Sequence, residues 1–185
     1  MAGLVANLLQ FSRAGRDQVS TVNVREEIIK TIELTEAFMR RHRIEVVPEF
    51  HPHLPDILAD RQQLRQVLLN LFTNAGDAMP NGGRLTPRVW PGHLPPDRPA
   101  VAIEVTDTGI GIAPEDLARV TDPFFTTKEE GKGTGLGLAI CRRIVQGHRG
   151  KLEIESEMGK GTTVRILLPV RSETNVNGLR STHAG

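Results

Sequence analysis

The spacing of hydrophobic residues changes period several times along this 185-residue chain, and each change marks an element. Leu4, Val5, Leu8 and Leu9 recur at helical spacing, and the polar residues 13–22 then read as a linker. Asn23 with Glu26 predicts a capping box that opens a helix running to about Arg41. Residues 44–50 read as a strand and residues 51–55 as a loop. Asp60 with Gln63 opens the clearest helix, in which Leu64, Val67, Leu68, Leu71, Phe72, Ala75 and Ala78 form one apolar stripe. Pro80 and the glycines at 82 and 83 stop it. Residues 85–90 read as a strand that Pro87 confines to an edge or a bulge. Residues 101–106 read as a buried strand. A glycine-rich region follows, then a helix to about His148. Residues 152–156 and 163–170 form two strands joined across Gly159 and Gly161. This order predicts an α+β fold, a two-layer sandwich with helices on one face of a mixed sheet. Residues 171–185 read as a polar tail.

Composition narrows the function classes. The chain has 23 basic and 22 acidic side chains, so no broad basic field argues for nucleic acid or a membrane surface. A single cysteine excludes a disulfide framework and a cysteine-based metal site. No apolar run reaches membrane-spanning length and no signal pattern follows Met1, so a cytoplasmic location is expected for this chain.

The candidate chemistry lies in two glycine boxes, Asp107-Thr-Gly109-Ile-Gly111 and Gly131-Lys-Gly133-Thr-Gly135-Leu-Gly137-Leu. Dense glycine lets backbone N–H groups approach a ligand closely. The second box runs straight into a helix, whose N-terminus favours phosphate. A flexible hinge is the plain alternative. The boxes fit neither a P-loop nor a dinucleotide fingerprint, and protein-kinase signatures are absent. On the helix after Asp60, the residues Gln66, Asn70, Asn74 and Asp77 line a polar stripe. Amide oxygens suit magnesium, which takes its other ligands from water and phosphates. A solvated helix face is the alternative for this stripe.

Together these segments resemble the boxes of sensor histidine kinases. Asn70-Leu-Phe-Thr-Asn74-Ala is similar to their N box, Asp107-Thr-Gly109-Ile-Gly111 to G1, and Pro123-Phe124-Phe125 to the F box. Gly133-Thr-Gly135-Leu-Gly137-Leu is similar to G2, and Gly159-Lys-Gly161-Thr to G3. The resemblance covers about residues 24–170. It implies the Bergerat-type ATP-binding sandwich shared with DNA gyrase, heat-shock chaperones and mismatch-repair ATPases, with ATP and Mg2+ as cofactors. Asp107 would accept a hydrogen bond from the adenine amino group. Asn74 would hold magnesium, and Asn70 would help to position the metal or its water. Gly109, Gly111 and Ile112 would flank the base, with Thr162 beside them. Gly133, Thr134, Gly135, Leu136, Gly137 and Leu138 would face the phosphates, as would Asp77 and Lys132. Residues 113–135 would form a lid carrying Phe125, Thr126 and Thr127, which Phe124 or Phe125 anchors by burying a ring. Lys128 at its tip would reach the γ-phosphate.

The sequence departs from the family in two ways. Gly76-Asp77 stands where many sensor kinases carry a basic residue, so Lys128, Lys132 or Arg65 would supply any basic contact to phosphate. Asn-Ala-Gly-Asp-Ala-Met resembles the nitrogen-regulation branch. None of the histidines, His42, His51, His53, His93, His148 and His183, lies on a phosphoacceptor helix. Each reads as a surface or loop residue. Residues 1–22 are then the remnant of a second dimerisation helix plus a linker, 23–170 the catalytic domain and 171–185 a flexible tail. The acceptor histidine would lie upstream, on a dimerisation domain of the same, homodimeric protein, and a response regulator receiver domain would be the downstream partner. The nearest rival function is an ATPase or serine kinase of the same fold. Those relatives carry a glutamate base where Asn70 stands, and an amide does not take a proton at neutral pH. A nucleotide-sensing module without catalysis is the other alternative.

Overall fold

The computed structural model describes residues 18–128 and 133–170. The helical pattern at residues 4–13, Gly131, Lys132 and the tail from 171 lie outside the described residues. The elements in chain order are β1 (Val19–Val22), α1 (Val24–Arg41), β2 (Ile44–Val46), β3 (Glu49–Phe50), β4 (Ile57–Asp60) and α2 (Arg61–Ala78). There follow β5 (Gly83–Leu94), β6 (Arg98–Asp107), α3 (Pro114–Leu117), α4 (Gly137–Gly147), β7 (Lys151–Glu157) and β8 (Gly161–Pro169). The main sheet has the order β2-β5-β6-β8-β7, with β3 also pairing with β5. β2 and β3 run parallel to β5, and the remaining pairs are antiparallel. This is the mixed sheet that the element order predicts.

Both long helices begin where their caps are. Asn23 Oδ1 accepts from the N–H of Glu26 at 3.1 Å, and Asp60 Oδ1 accepts from Gln62 and Gln63 at 2.8 and 3.0 Å. The α2 stripe of Leu64, Val67, Leu68, Leu71, Phe72 and Ala75 is buried against Leu85, Val101, Ile103, Val105 and Ile166 of the sheet. Each of the leucine, valine and phenylalanine side chains contributes about 1.5–3 kcal/mol by leaving water. Gly76 has a packing role: a Cβ there would collide with the ring of Phe38 on α1. The position that carries a basic residue in many sensor kinases therefore serves helix–helix approach here.

The sheet face away from the helices is polar and laced with ion pairs. Glu49 pairs with Arg88 at 2.8 Å, Arg88 with Glu104 at 3.6 Å, Glu104 with Arg165 at 2.7 Å, and Arg165 with Glu153 at 3.7 Å. The chain of charges crosses β3, β5, β6, β8 and β7 in turn.

Two features differ from the sequence reading. Val19–Val22, in the stretch that reads as linker, forms a strand paired antiparallel with Ile57–Asp60, where the pattern assigns no strand. Four-residue strands carry too little period for the pattern to register. Pro87 lies in an interior strand rather than on an edge. The N–H groups of Val47 and His51 donate to the carbonyls of Leu85 and Val89, so Pro87, between them, faces the same side. Its missing N–H falls at the break between β2 and β3, where no ladder bond is lost.

Candidate nucleotide site

Asp107 ends β6 with its carboxylate 7% exposed, accepting at Oδ1 from the N–H of Gly109 at 2.8 Å and of Thr162 at 3.3 Å. Burial raises its carboxyl above the ordinary value, and these two N–H groups oppose that shift. Both bonds fall on Oδ1, which leaves Oδ2 as an acceptor for a ligand. The β7–β8 turn closes over this residue. Gly161 has φ +118°, and a Cβ there would collide with the Asp107 carbonyl, so only glycine lets the hairpin approach this closely.

The G1 loop is fixed from both sides. Ile110 donates to the carbonyl of Ala78 at 2.9 Å, which joins the loop to the end of α2. Gly159 donates to the carbonyl of Ile110 at 2.8 Å, Gly111 lies against the backbone of Glu157, and Ile112 donates to Ser156 Oγ at 2.8 Å. Ser156 in turn donates to the carbonyl of Gly161 and lies 2.9 Å from Thr162 Oγ1. Sequence reasoning misses Ser156; its only signal is a hydroxyl near the end of a strand that faces the G1 box.

Asn70, Asn74 and Asp77 stand on successive turns of α2; Asn70 and Asn74 face the start of α4, and Asp77 faces Lys128 of the lid. Asn70 donates to the carbonyl of Gly137 at 3.3 Å and accepts from Gln66 at 3.1 Å. A Cβ on Gly137 would stand 3.3 Å from Asn74 Nδ2. No side chain caps α4, whose preceding residue, Leu136, donates its N–H to Thr134 Oγ1 at 3.3 Å. The Leu136 side chain is buried and Leu138 packs on the core, so these two residues face a ligand only through backbone.

Lys128 reaches back from the lid. Its Nζ donates to Asp77 Oδ2 at 2.6 Å and to Asn74 Oδ1 at 3.4 Å, while its N–H donates to Thr126 Oγ1. A positive charge is thus seated on the oxygens of Asn74 and Asp77, which fits a divalent cation held by oxygen donors. Among the described residues no cluster of three or more His, Cys, Asp or Glu forms a metal cage. An ion here would take its other ligands from phosphate and water. Arg65 is not available to phosphate: it grips the buried Glu27 at 2.8 Å, together with Arg61 and Lys30.

Of the two lid phenylalanines, Phe124 does not bury its ring, which is 66% exposed. Its backbone is the anchored part, with its N–H donating to the Gly135 carbonyl at 2.9 Å. The ring of Phe125 lies 4.6 Å below the Arg119 guanidinium. Thr127 is exposed, and Gly133 lies against the side chains of Thr126 and Lys128. A separate cavity of about 290 Å³ between α3, α4 and β7, lined by Leu117, Arg142, Lys151 and Ile154 among others, includes none of these residues.

Residues 59–172, more than half of the chain, match the family described as histidine kinase-, DNA gyrase B- and HSP90-like ATPase, and the chain belongs to that family. Within it, the described residues form an ATP-binding catalytic domain of the two-component histidine kinase type. The chain is 37% identical over 180 residues to the sensor kinase CckA of Brucella abortus (strain 2308), covering 91% of this chain. It spans only 19% of that relative's length. Full-length ShkA in complex with AMPPNP superposes with a TM-score of 0.77 at 30% identity, over 90% of this chain and 35% of that one. Histidine kinase ThkA in complex with the response regulator protein TrrA gives 0.74 at 26% identity, over 92% and 47%. No helix among the described residues is long and apolar enough to cross a membrane.

Proposed function

We propose that this domain binds Mg·ATP and delivers the γ-phosphate to a histidine on a dimerisation domain of the same protein, joined to it through the residues that precede β1. The observation that carries this reading is the convergence of three groups on one side of the sheet. A buried carboxylate, Asp107, reads the base; Asn74 and Asp77 hold a positive charge; and the uncapped N-terminus of α4 faces the phosphates.

Magnesium, held by Asn74, would screen the phosphate charge and so favour attack at the γ-phosphorus. The chain's own residues position the rest. Asp107 accepts from the exocyclic amine of adenine, and Oδ1 stays oriented by Gly109 and Thr162. Asn70 holds α4 against α2 through the Gly137 carbonyl. Lys128 leaves Asn74 and Asp77 when an ion arrives, and its ammonium then becomes available to the γ-phosphate. An asparagine at position 70 cannot take a proton from water, which favours a nucleophile that needs no base, the neutral imidazole. The response regulator in the ThkA complex supports a receiver domain as the next acceptor for this chain. Gly76-Asp77 supports a place in the nitrogen-regulation-like branch.

The test mixes the chain with magnesium, γ-labelled ATP and a separately made dimerisation domain. Acid-labile label on the partner is the expected result. Rapid ATP hydrolysis without an acceptor would overturn the transfer reading. Nucleotide binding with no transfer to a competent acceptor would make the domain a sensing module.

A further inference from the structure

We propose that His148 is a positioning residue for the nucleotide site, a pin that sets the axial register of the two helices from which the site is built. This rests on the reading of Asn74 and the α4 N-terminus as that site. His148 follows the last residue of α4. Its Nδ1 lies 2.8 Å from the Ile144 carbonyl, and its Nε2 lies 2.9 Å from the backbone nitrogen of Asp60. A carbonyl only accepts and a backbone N–H only donates, so the ring is neutral, with the Nδ1 proton donated to Ile144 and the Nε2 lone pair accepting from Asp60.

Asp60 is also the residue that caps α2, through the N–H groups of Gln62 and Gln63. One imidazole therefore ties the last turn of α4 to the first turn of α2. The two helices run antiparallel: His148 meets Asp60, Cys141 Sγ meets the Val67 carbonyl, and Gly137 meets Asn70. At 1.5 Å per residue the pin stands roughly 16 Å from Gly137. The interface between these ends is mostly apolar and close-packed, which limits sliding without itself choosing an exact axial position. Hydrogen bonds at the two ends are directional. The Asn70 bond at the site end is long, at 3.3 Å, and the His148 bonds are the shorter ones. Displacements of about 1 Å are enough to spoil positioned chemistry. The far end of α4 thus decides where its first N–H groups stand relative to Asn74.

Imidazole ¹⁵N NMR on the full chain reads the pin directly. The expected signature is the Nδ1–H tautomer of His148, with a nitrogen–nitrogen coupling across the bond to the Asp60 amide; the other tautomer or a charged ring overturns the proposal. His148→Leu and His148→Gln then separate positioning from folding, with Mg·ATP affinity measured well below both melting transitions. We expect about tenfold weaker binding for His148→Leu, and recovery to within about threefold for His148→Gln, whose amide oxygen can accept from Asp60. A folded Leu variant that melts earlier but binds Mg·ATP like the wild type leaves His148 a structural residue only. If the Leu variant does not fold, His148→Gln decides alone: a folded Gln variant with a tenfold loss overturns the pin, since the acceptor is retained. A wild-type chain that binds no Mg·ATP, yet shows the tautomer and the coupling, removes the nucleotide reading and the positioning role with it.

Discussion

Burial pushes the Asp107 carboxyl above the usual carboxylate range, while the N–H groups of Gly109 and Thr162 pull against that shift. A raised value has a definite sign for stability. The contribution is full below the unfolded value of about 3.9 and is lost as pH rises through the folded value. Above the folded value the fold therefore carries a charged Asp107 at a cost. Asp107→Asn should relieve that cost and melt higher at pH 7, with the gain vanishing in acid. The same change should weaken ATP binding by roughly 10–100-fold, the loss of one charge-assisted hydrogen bond. Binding of inosine triphosphate, which lacks the exocyclic amine, should change much less; titration calorimetry with both nucleotides measures the difference, and equal losses would point to damage of the pocket. Asn74→Ala should remove the magnesium dependence of nucleotide binding, measured as ATP affinity with and without the ion; an unchanged dependence places the metal elsewhere. Asp107 and Asn74 are legible in the sequence because their chemistry follows from residue type and the boxes around them. Ser156 and His148 are not, since the partners that tie them to the site, Ile112 and Asp60, lie in remote elements and neither sits in a recognisable spacing.

Helices α1 and α2 are joined by a charge cluster that apolar periodicity does not reveal. The Glu27 side chain is 0% exposed yet carries Arg65, Arg61 and Lys30 around it. Burial alone would raise its carboxyl; the hydrogen bond and charge of Arg65, then Lys30 and Arg61, lower it below the ordinary value. The sign is opposite to that of Asp107. Stability from Glu27 is present above the unfolded value of about 4.3 and is lost as pH falls through the folded value. Arg65→Met should cost roughly 2 kcal/mol at pH 7 in a urea titration, because the buried Glu27 Oε2 loses both of its donors from Arg65. The cost should shrink as pH falls through the folded value of Glu27, and ATP affinity in the folded state should stay unchanged. A fall in affinity at constant stability would return Arg65 to the phosphates. At this scale the capped starts of α1 and α2 are readable because caps are local. The β1–β4 pair is not, because a short strand is defined by its neighbour rather than by its own pattern.

For the molecule as a whole, the α+β sandwich was legible from the alternation of periods, since three helices can hide their apolar stripes only by sharing one sheet face. The opposite face needs no second layer. Its ion pairs from Glu49 to Glu153 let a bare sheet meet water. The pocket itself is the least local part. Asp107 meets the N–H of Thr162 across 55 residues of chain, and β6 pairs with β8. Contacts so distant in sequence close late in folding, because the loop entropy must be overcome first. A chain with its helices formed but β8 undocked has no adenine pocket. Nucleotide then recognises only the finished fold and can stabilise nothing earlier on the route. Saturating ATP should therefore slow unfolding in stopped-flow denaturant jumps and leave the refolding rate unchanged. Faster refolding with ATP would mean that the pocket forms before the strands are paired. In a cell, the same timing makes the ligand a brake on loss of the domain rather than an aid to its making.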